Sequence, residues 1–129
     1  MNREELEEWI LATYQTQVDF PWEKHPTYQV FRHPSNKKWF AVILEVPKEK
    51  LGLPGEGVLQ VVNIKCDPIM VGSLRLEPGF FPAYHMNKNY WISILLNDSV
   101  PDDQIAPLLE LSYDSVAPKR KRRKTAPQL

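Results

Sequence analysis

Apolar and polar positions alternate along this chain with two periods, and the switches between them outline its elements. Leu6, Trp9, Ile10, Thr13 and Tyr14 recur at helical spacing and form one stripe. Asn2 precedes them as an N-cap, with Glu5 three residues on in capping-box position. Residues 27–32 read as a short mixed strand. Residues 39–45 are apolar on both faces, which predicts a central strand. Residues 58–66 form a third strand, with Val58, Val62, Ile64 and Cys66 on one face. Val61, Asn63 and Lys65 occupy the other face, which becomes polar toward Lys65.

Turn residues punctuate these segments. His33-Pro34-Ser35-Asn36 is a turn cluster, and a loop rich in Pro, Gly and Lys fills residues 47–57. Asp67-Pro68 starts a short helix, an Asp cap followed by Pro at the first helical position, running to about Leu76. Pro78-Gly79 ends it. Residues 81–86 predict a brief strand, Asn87-Lys88-Asn89 a hairpin turn, and residues 90–96 the returning strand. Ile105, Leu108, Leu109, Ser112, Tyr113 and Val116 give the last helix the best periodicity in the chain. Pro107 lies within it, so the helix starts near Asp103 or kinks, and Pro118 stops it. The order α-β-β-β-α-β-β-α predicts an α+β fold: a two-layer sandwich of an antiparallel sheet with helices on one face.

Charge changes this picture at one end. The formal net charge is zero, but Lys119, Arg120, Lys121, Arg122, Arg123 and Lys124 supply six of the sixteen cations and have no acid among them. Residues 1–118 therefore hold ten cations against all sixteen acids, a net of −6. The pattern is an acidic domain, residues 1–117, followed by a basic tail, residues 118–129, expected to be disordered alone. The longest apolar runs, residues 39–44 and 91–96, are far too short for a membrane span. The N-terminus is acidic and carries no apolar signal segment, which predicts a cytoplasmic protein, expected to be a monomer without membrane contact.

Catalytic patterns are absent. The glycines match no phosphate-loop spacing, and His25, His33 and His85 form no metal motif. Cys66 is the lone cysteine, so no internal disulfide or Cys-based zinc site can form. Cys66 with His85 could pair as thiol and imidazole, but alternation with Val62 and Ile64 points to inert packing. Asp102-Asp103 sit where a helix start wants negative charge. The expectation is a non-enzymatic protein with no catalytic residues, cofactor or metal.

One constellation remains. Lys65, Arg75, His85, Asn87, Lys88, Tyr90 and Trp91 fall at strand ends, turns or a helix exit, where they can converge at one edge of the sheet. Cations interleaved with aromatics suit phosphate contact and base stacking. A plainer account stands beside it: Tyr90 and Trp91 as sheet packing, Asn87 and Asn89 as turn formers, Lys88 as a solvated tip. The tail cations bind polyanions by counterion release, without sequence preference. A solubility tail or a nuclear-localisation signal also fits their composition.

Lys65-Cys66-Asp67-Pro68, then Tyr84-His85-Met86-Asn87-Lys88, then Trp91, then Ser112-Tyr113, resemble the bacterial MmcQ/YjbR family in order and spacing, from about Leu6 to Val116. The resemblance implies a CyaY-like, secretion-chaperone-like fold with the element order above. It also implies DNA binding, a label the family commonly carries. Position by position, the matching candidates are Lys65, His85, Asn87, Lys88 and Trp91, joined by Arg75 on charge grounds. Pro107 and the basic tail depart from the family pattern. The leading expectation is therefore a nucleic-acid-binding protein, with DNA as partner and the basic arm adding affinity. The alternative is a protein-interaction, chaperone-like module that docks a partner on an open sheet face or edge. A joint exposed patch of Trp39 and Trp91 would mark that second class.

Overall fold

A computed structural model describes residues 1–118. The tail cations Lys119 to Lys124, and the expectation of disorder there, lie outside the described residues. Helix α1 (Arg3–Thr13) starts as the sequence predicts: Asn2 accepts from the Glu5 N–H, and the Glu5 side chain accepts from the Asn2 N–H. Leu6 and Ile10 are its buried positions, whereas Thr13 faces solvent rather than the core.

Six strands follow: β1 (Val18–Asp19), β2 (Gln29–Arg32), β3 (Trp39–Pro47), β4 (Val58–Lys65), β5 (Phe80–Pro82) and β6 (Trp91–Leu95). They form one antiparallel sheet in the order β1-β2-β3-β4-β6-β5. β3 lies inside it with Phe40 to Leu44 all buried, as a strand apolar on both faces requires. Helix α2 (Pro68–Leu74) is capped by Asp67, which accepts from the Met70 N–H at 2.9 Å. Helix α3 (Asp102–Ser115) takes in Pro107, with Asp102 and Asp103 in its first turn. Asp102 also meets the Met1 ammonium at 2.7 Å, so its charge serves a helix start and an ion pair together.

Three features depart from the sequence expectation. The two-residue β1 is too short to show a period. The strand expected over residues 81–86 is confined to Phe80–Pro82, and residues 84–90 form consecutive turns. The sheet face away from the helices is not open: it carries its own buried cluster. The main core, under the helices, joins Leu6, Ile10, Phe31, Phe40, Ile64, Ile92, Ile105 and Leu109. The second gathers Tyr28, Val30, Val42, Leu44, Val46, Val61 and Leu95 beneath Trp22, Trp39, Tyr84 and Met86. Loops and one short 3-10 turn (Lys48–Leu51), not α-helices, cover that second cluster.

Glycine is needed at one tight approach. Gly79 has φ +86, and a Cβ there would run into the Val100 side chain beneath β5. No helix among the described residues is long and apolar enough to cross a membrane.

Candidate functional site

Much of the motif residue set holds the fold together. The β3–β4 ladder ends at Ala41 and Ile64. At the next step Ser112, fully buried on α3, inserts its hydroxyl between the strands. Its Oγ donates to the Phe40 carbonyl at 2.6 Å and accepts from the Lys65 N–H at 2.9 Å. Two backbone groups that an open ladder would leave unpaired are thereby satisfied. Tyr113 beside it stacks on Tyr14 and on buried His33, each at 4.4 Å between ring centres, and meets Phe40 edge-on. Cys66 lies in the core under the helices, and burial, with Asp67 adding to it, pushes its thiol up to about 11. His85 lines the other face, so the two cannot pair.

The His85 turn is fixed by a buried polar chain. Asn63, 0 % exposed, donates from Nδ2 to the Tyr84 carbonyl at 2.9 Å and accepts from Ser93 Oγ. Ser93 Oγ in turn accepts the Tyr84 N–H at 3.1 Å. Both backbone groups of Tyr84 are thus held, and His85 follows in the left-handed region at φ +63. Asn87 completes the segment as a turn former: its Oδ1 accepts from the Asn89 N–H, and its carbonyl accepts from the N–H groups of Tyr90 and Trp91.

The predicted residues separate into two groups. Lys65 and Trp91 pair across β4 and β6 and point to the helix-free side, both half-buried. Arg75, just beyond α2, donates to the Lys88 carbonyl. With Asn87 these residues share one corner of the sheet, and Lys88 and Arg75 are exposed there. His85 instead turns toward the second cluster. Lys119, Arg120, Lys121, Arg122, Arg123 and Lys124 lie outside the described residues. Trp39 and Trp91 are both half-buried, so they do not form the joint exposed patch that would mark a docking face.

Where His85 turns, a cavity of about 300 Å³ opens between the loop before β2 and the turn before β6. Trp22, His25, Tyr28, Trp39, His85 and Met86 line it over a floor of Val42 and Leu44. His25 lies flat on Tyr28, with ring centres 4.4 Å apart and planes within 4°. The His25 and His85 rings stand 6.3 Å apart. Trp22 meets Trp39 edge-on at 5.5 Å. Burial lowers the pKa of His85, and His25, Lys88 and Lys50 lower it further, so the fold favours its neutral imidazole. A larger open groove of about 780 Å³ runs along the connection from α1 to β1, lined by a mixture of polar and apolar residues from the end of α1, that connection, β1 and β2. Arg32, its principal charge, is already paired with Asp19 at 2.9 Å and lies over Trp39.

Trp22, His25, Tyr28 and Lys50 are not among the residues the sequence nominates. A signal exists in hindsight of the turns: Trp22, His25 and Tyr28 are three apart. The His25 N–H bonds the Trp22 carbonyl, and the Tyr28 N–H bonds the His25 carbonyl. Successive tight turns thus bring three rings to one side.

The model of the YjbR family matches residues 11–115, a span that holds the sheet, the His85 turn and the Ser112 clamp. The uncharacterised protein YyaQ of Bacillus subtilis is 42 % identical over 113 residues, covering 88 % of this chain and 96 % of that one. A crystal structure of a protein from Pseudomonas syringae superposes with a TM-score of 0.86 at 44 % identity, covering 89 % of this chain and 98 % of that one. A Deinococcus radiodurans protein shares the fold at 22 % identity and a TM-score of 0.64, covering 87 % of this chain and 75 % of that one. With a match over most of its length and a relative this similar from end to end, the chain belongs to the YjbR family.

Proposed function

We propose that this protein is a non-enzymatic nucleic-acid-binding protein, with DNA as its partner. The observation that supports the reading is the corner shared by Lys65, Arg75, Lys88 and Trp91. A lysine paired across the strands with Trp91, beside a turn that carries Lys88 and accepts from Arg75, suits phosphate contact beside base stacking. The basic run after residue 118 adds sequence-independent attraction, and it offsets the repulsion that sixteen acids would otherwise exert on phosphate. In this reading Lys65 and Lys88 contact phosphate and Trp91 stacks. Arg75, already bonded to the turn, holds Lys88 in place.

The test is fluorescence anisotropy of the full chain with a short labelled duplex, and with one of its strands, at two salt concentrations. The combined variant Lys65→Gln, Lys88→Gln is expected to weaken binding and flatten the salt dependence by roughly one unit of log–log slope per lost phosphate contact. Neutralising the six tail cations is expected to flatten it further. If the corner variant binds like the parent while the tail variant does not bind, the reading fails for the folded domain. No binding by the full chain would sink it altogether.

A further inference from the structure

We infer that the aromatic cavity on the helix-free face is a binding site for a nucleobase that carries a phosphate. Its walls are aromatic: Trp22 meets Trp39 and Tyr28 edge-on, at 5.5 and 5.9 Å, and the flat His25–Tyr28 stack and His85 complete the lining. A volume of about 300 Å³ sits at the small end of ligand pockets, enough for one planar molecule. The floor of Val42 and Leu44 offers an apolar surface to a ring, and Met86 adapts its shape to it.

The mouth determines the charge of the occupant. Lys88 is exposed three residues past His85 in the same run of turns, and Lys50 directly precedes Leu51, which packs against the second cluster, so two lysines flank this opening. No carboxylate lines the cavity among the described residues. An anion at the mouth would meet these cations, while the imidazole nitrogens of His25 and His85 can bond the edge of a base. The polar chain from Asn63 through Ser93 to Tyr84 fixes one wall before any ligand arrives, which lowers the ordering cost of binding.

This inference shares Lys88 with the nucleic-acid reading above and otherwise rests on different residues. The same chemistry can arrive as a free mononucleotide or as an unpaired base of a strand.

The experiment titrates the full chain with adenosine 5′-monophosphate, adenosine and ribose 5-phosphate. Tryptophan fluorescence and amide NMR shifts are followed together. The monophosphate is expected to quench fluorescence saturably and to shift amides of residues 22–28 and 84–88. Adenosine should bind about tenfold more weakly, the effect of losing one charge-assisted contact. Ribose 5-phosphate should produce no quench. Lys50→Gln is expected to weaken the monophosphate and leave adenosine unchanged. His85→Asn, which keeps a residue tolerant of left-handed backbone, should weaken both ligands in a folded protein.

Displacement of the monophosphate by a short oligoadenylate strand would assign the site to an unpaired base. Failure to displace it would assign a free nucleotide. Two results would overturn the inference: no saturable response at millimolar monophosphate, or equal shifts by ribose 5-phosphate outside residues 22–28 and 84–88. Loss of duplex binding in Lys65→Gln alone, which keeps the shared Lys88, with the monophosphate still bound, would show that the two sites stand or fall separately.

Discussion

Each face of the sheet carries a histidine stacked on a tyrosine at the same 4.4 Å between ring centres, yet one face is packed shut and the other encloses a cavity. Under the helices, His33 lies on Tyr113 and is 3 % exposed. Across the sheet, His25 lies on Tyr28 and is exposed. The residue types match, so the difference comes from what brings them together. Tyr113 arrives on α3, whose neighbour Ser112 is bolted to β3 and β4, and a rigid helix lets side chains interdigitate at core density. His25 and His85 arrive on loops that meet only at their tips, and two loops do not fill the space between them. Stability should therefore reside under the helices and recognition on the opposite side.

The largest effect expected from this division is Leu109→Ala. Leu109 is 0 % exposed in the main core, and the truncation should cost about 2–5 kcal/mol in a denaturant melt. Below its unfolding transition the variant should still bind adenosine monophosphate like the parent. Weakened binding by the well-folded variant would mean that the two faces are coupled through the sheet.

Two buried polar residues sharpen the contrast at a smaller cost. Ser112→Ala leaves the Phe40 carbonyl and the Lys65 N–H without their partner, and Asn63→Ala does the same to the Tyr84 carbonyl. Each should lose about 1–3 kcal/mol of stability, the range for a stranded buried group. Their effects on binding should diverge. Ser112→Ala leaves the cavity intact, whereas Asn63→Ala frees Tyr84 and so the His85 wall. Calorimetric melting and fluorescence titration of both variants check this, and identical binding losses would contradict it.

The same division explains how much of the molecule is legible in its sequence. α1 can be read because the Asn2–Glu5 capping box and a helical stripe agree, and β3 because an unbroken apolar run must be buried on both faces. Packing on a regular element leaves a period in the sequence. The cavity leaves none. Trp22, His25 and Tyr28 come from an irregular loop, His85 from a turn far along the chain, and only β-pairing brings them together. Asn63 falls on the strand face that turns polar in the sequence and is nonetheless buried, because the loops above it cannot be foreseen from alternation. Asn87 is legible in its humbler role, as a turn former, and the hydrogen bonds bear that out.

The smallest effect on stability is expected at His85, where the strain of the fold and the chemistry of the cavity meet. A non-glycine residue at φ +63 costs roughly 1–2 kcal/mol, whereas glycine there costs an extra 0.5–1 kcal/mol or so in chain entropy. His85→Gly should therefore unfold within about 1 kcal/mol of the parent, on either side, while losing monophosphate binding. Protonation supplies the complementary test. Burial first, then His25, Lys88 and Lys50, holds the His85 pKa below 6.5; the Tyr28 and Tyr84 rings also face it, and burial raises the Tyr28 pKa above its ordinary value. The folded chain thus favours the neutral imidazole. Its contribution to stability is present above pH 6.5 and is lost as pH falls through the lower folded-state value. A bound phosphate would counter the same cations, so the His85 ring should titrate at a higher pH with the monophosphate than without it. Ring-proton NMR titrations with and without ligand measure this, and an unmoved midpoint would place the phosphate away from the mouth. Retained binding in the glycine variant would remove His85 from the site while leaving the stacked rings of His25 and Tyr28 to hold the base.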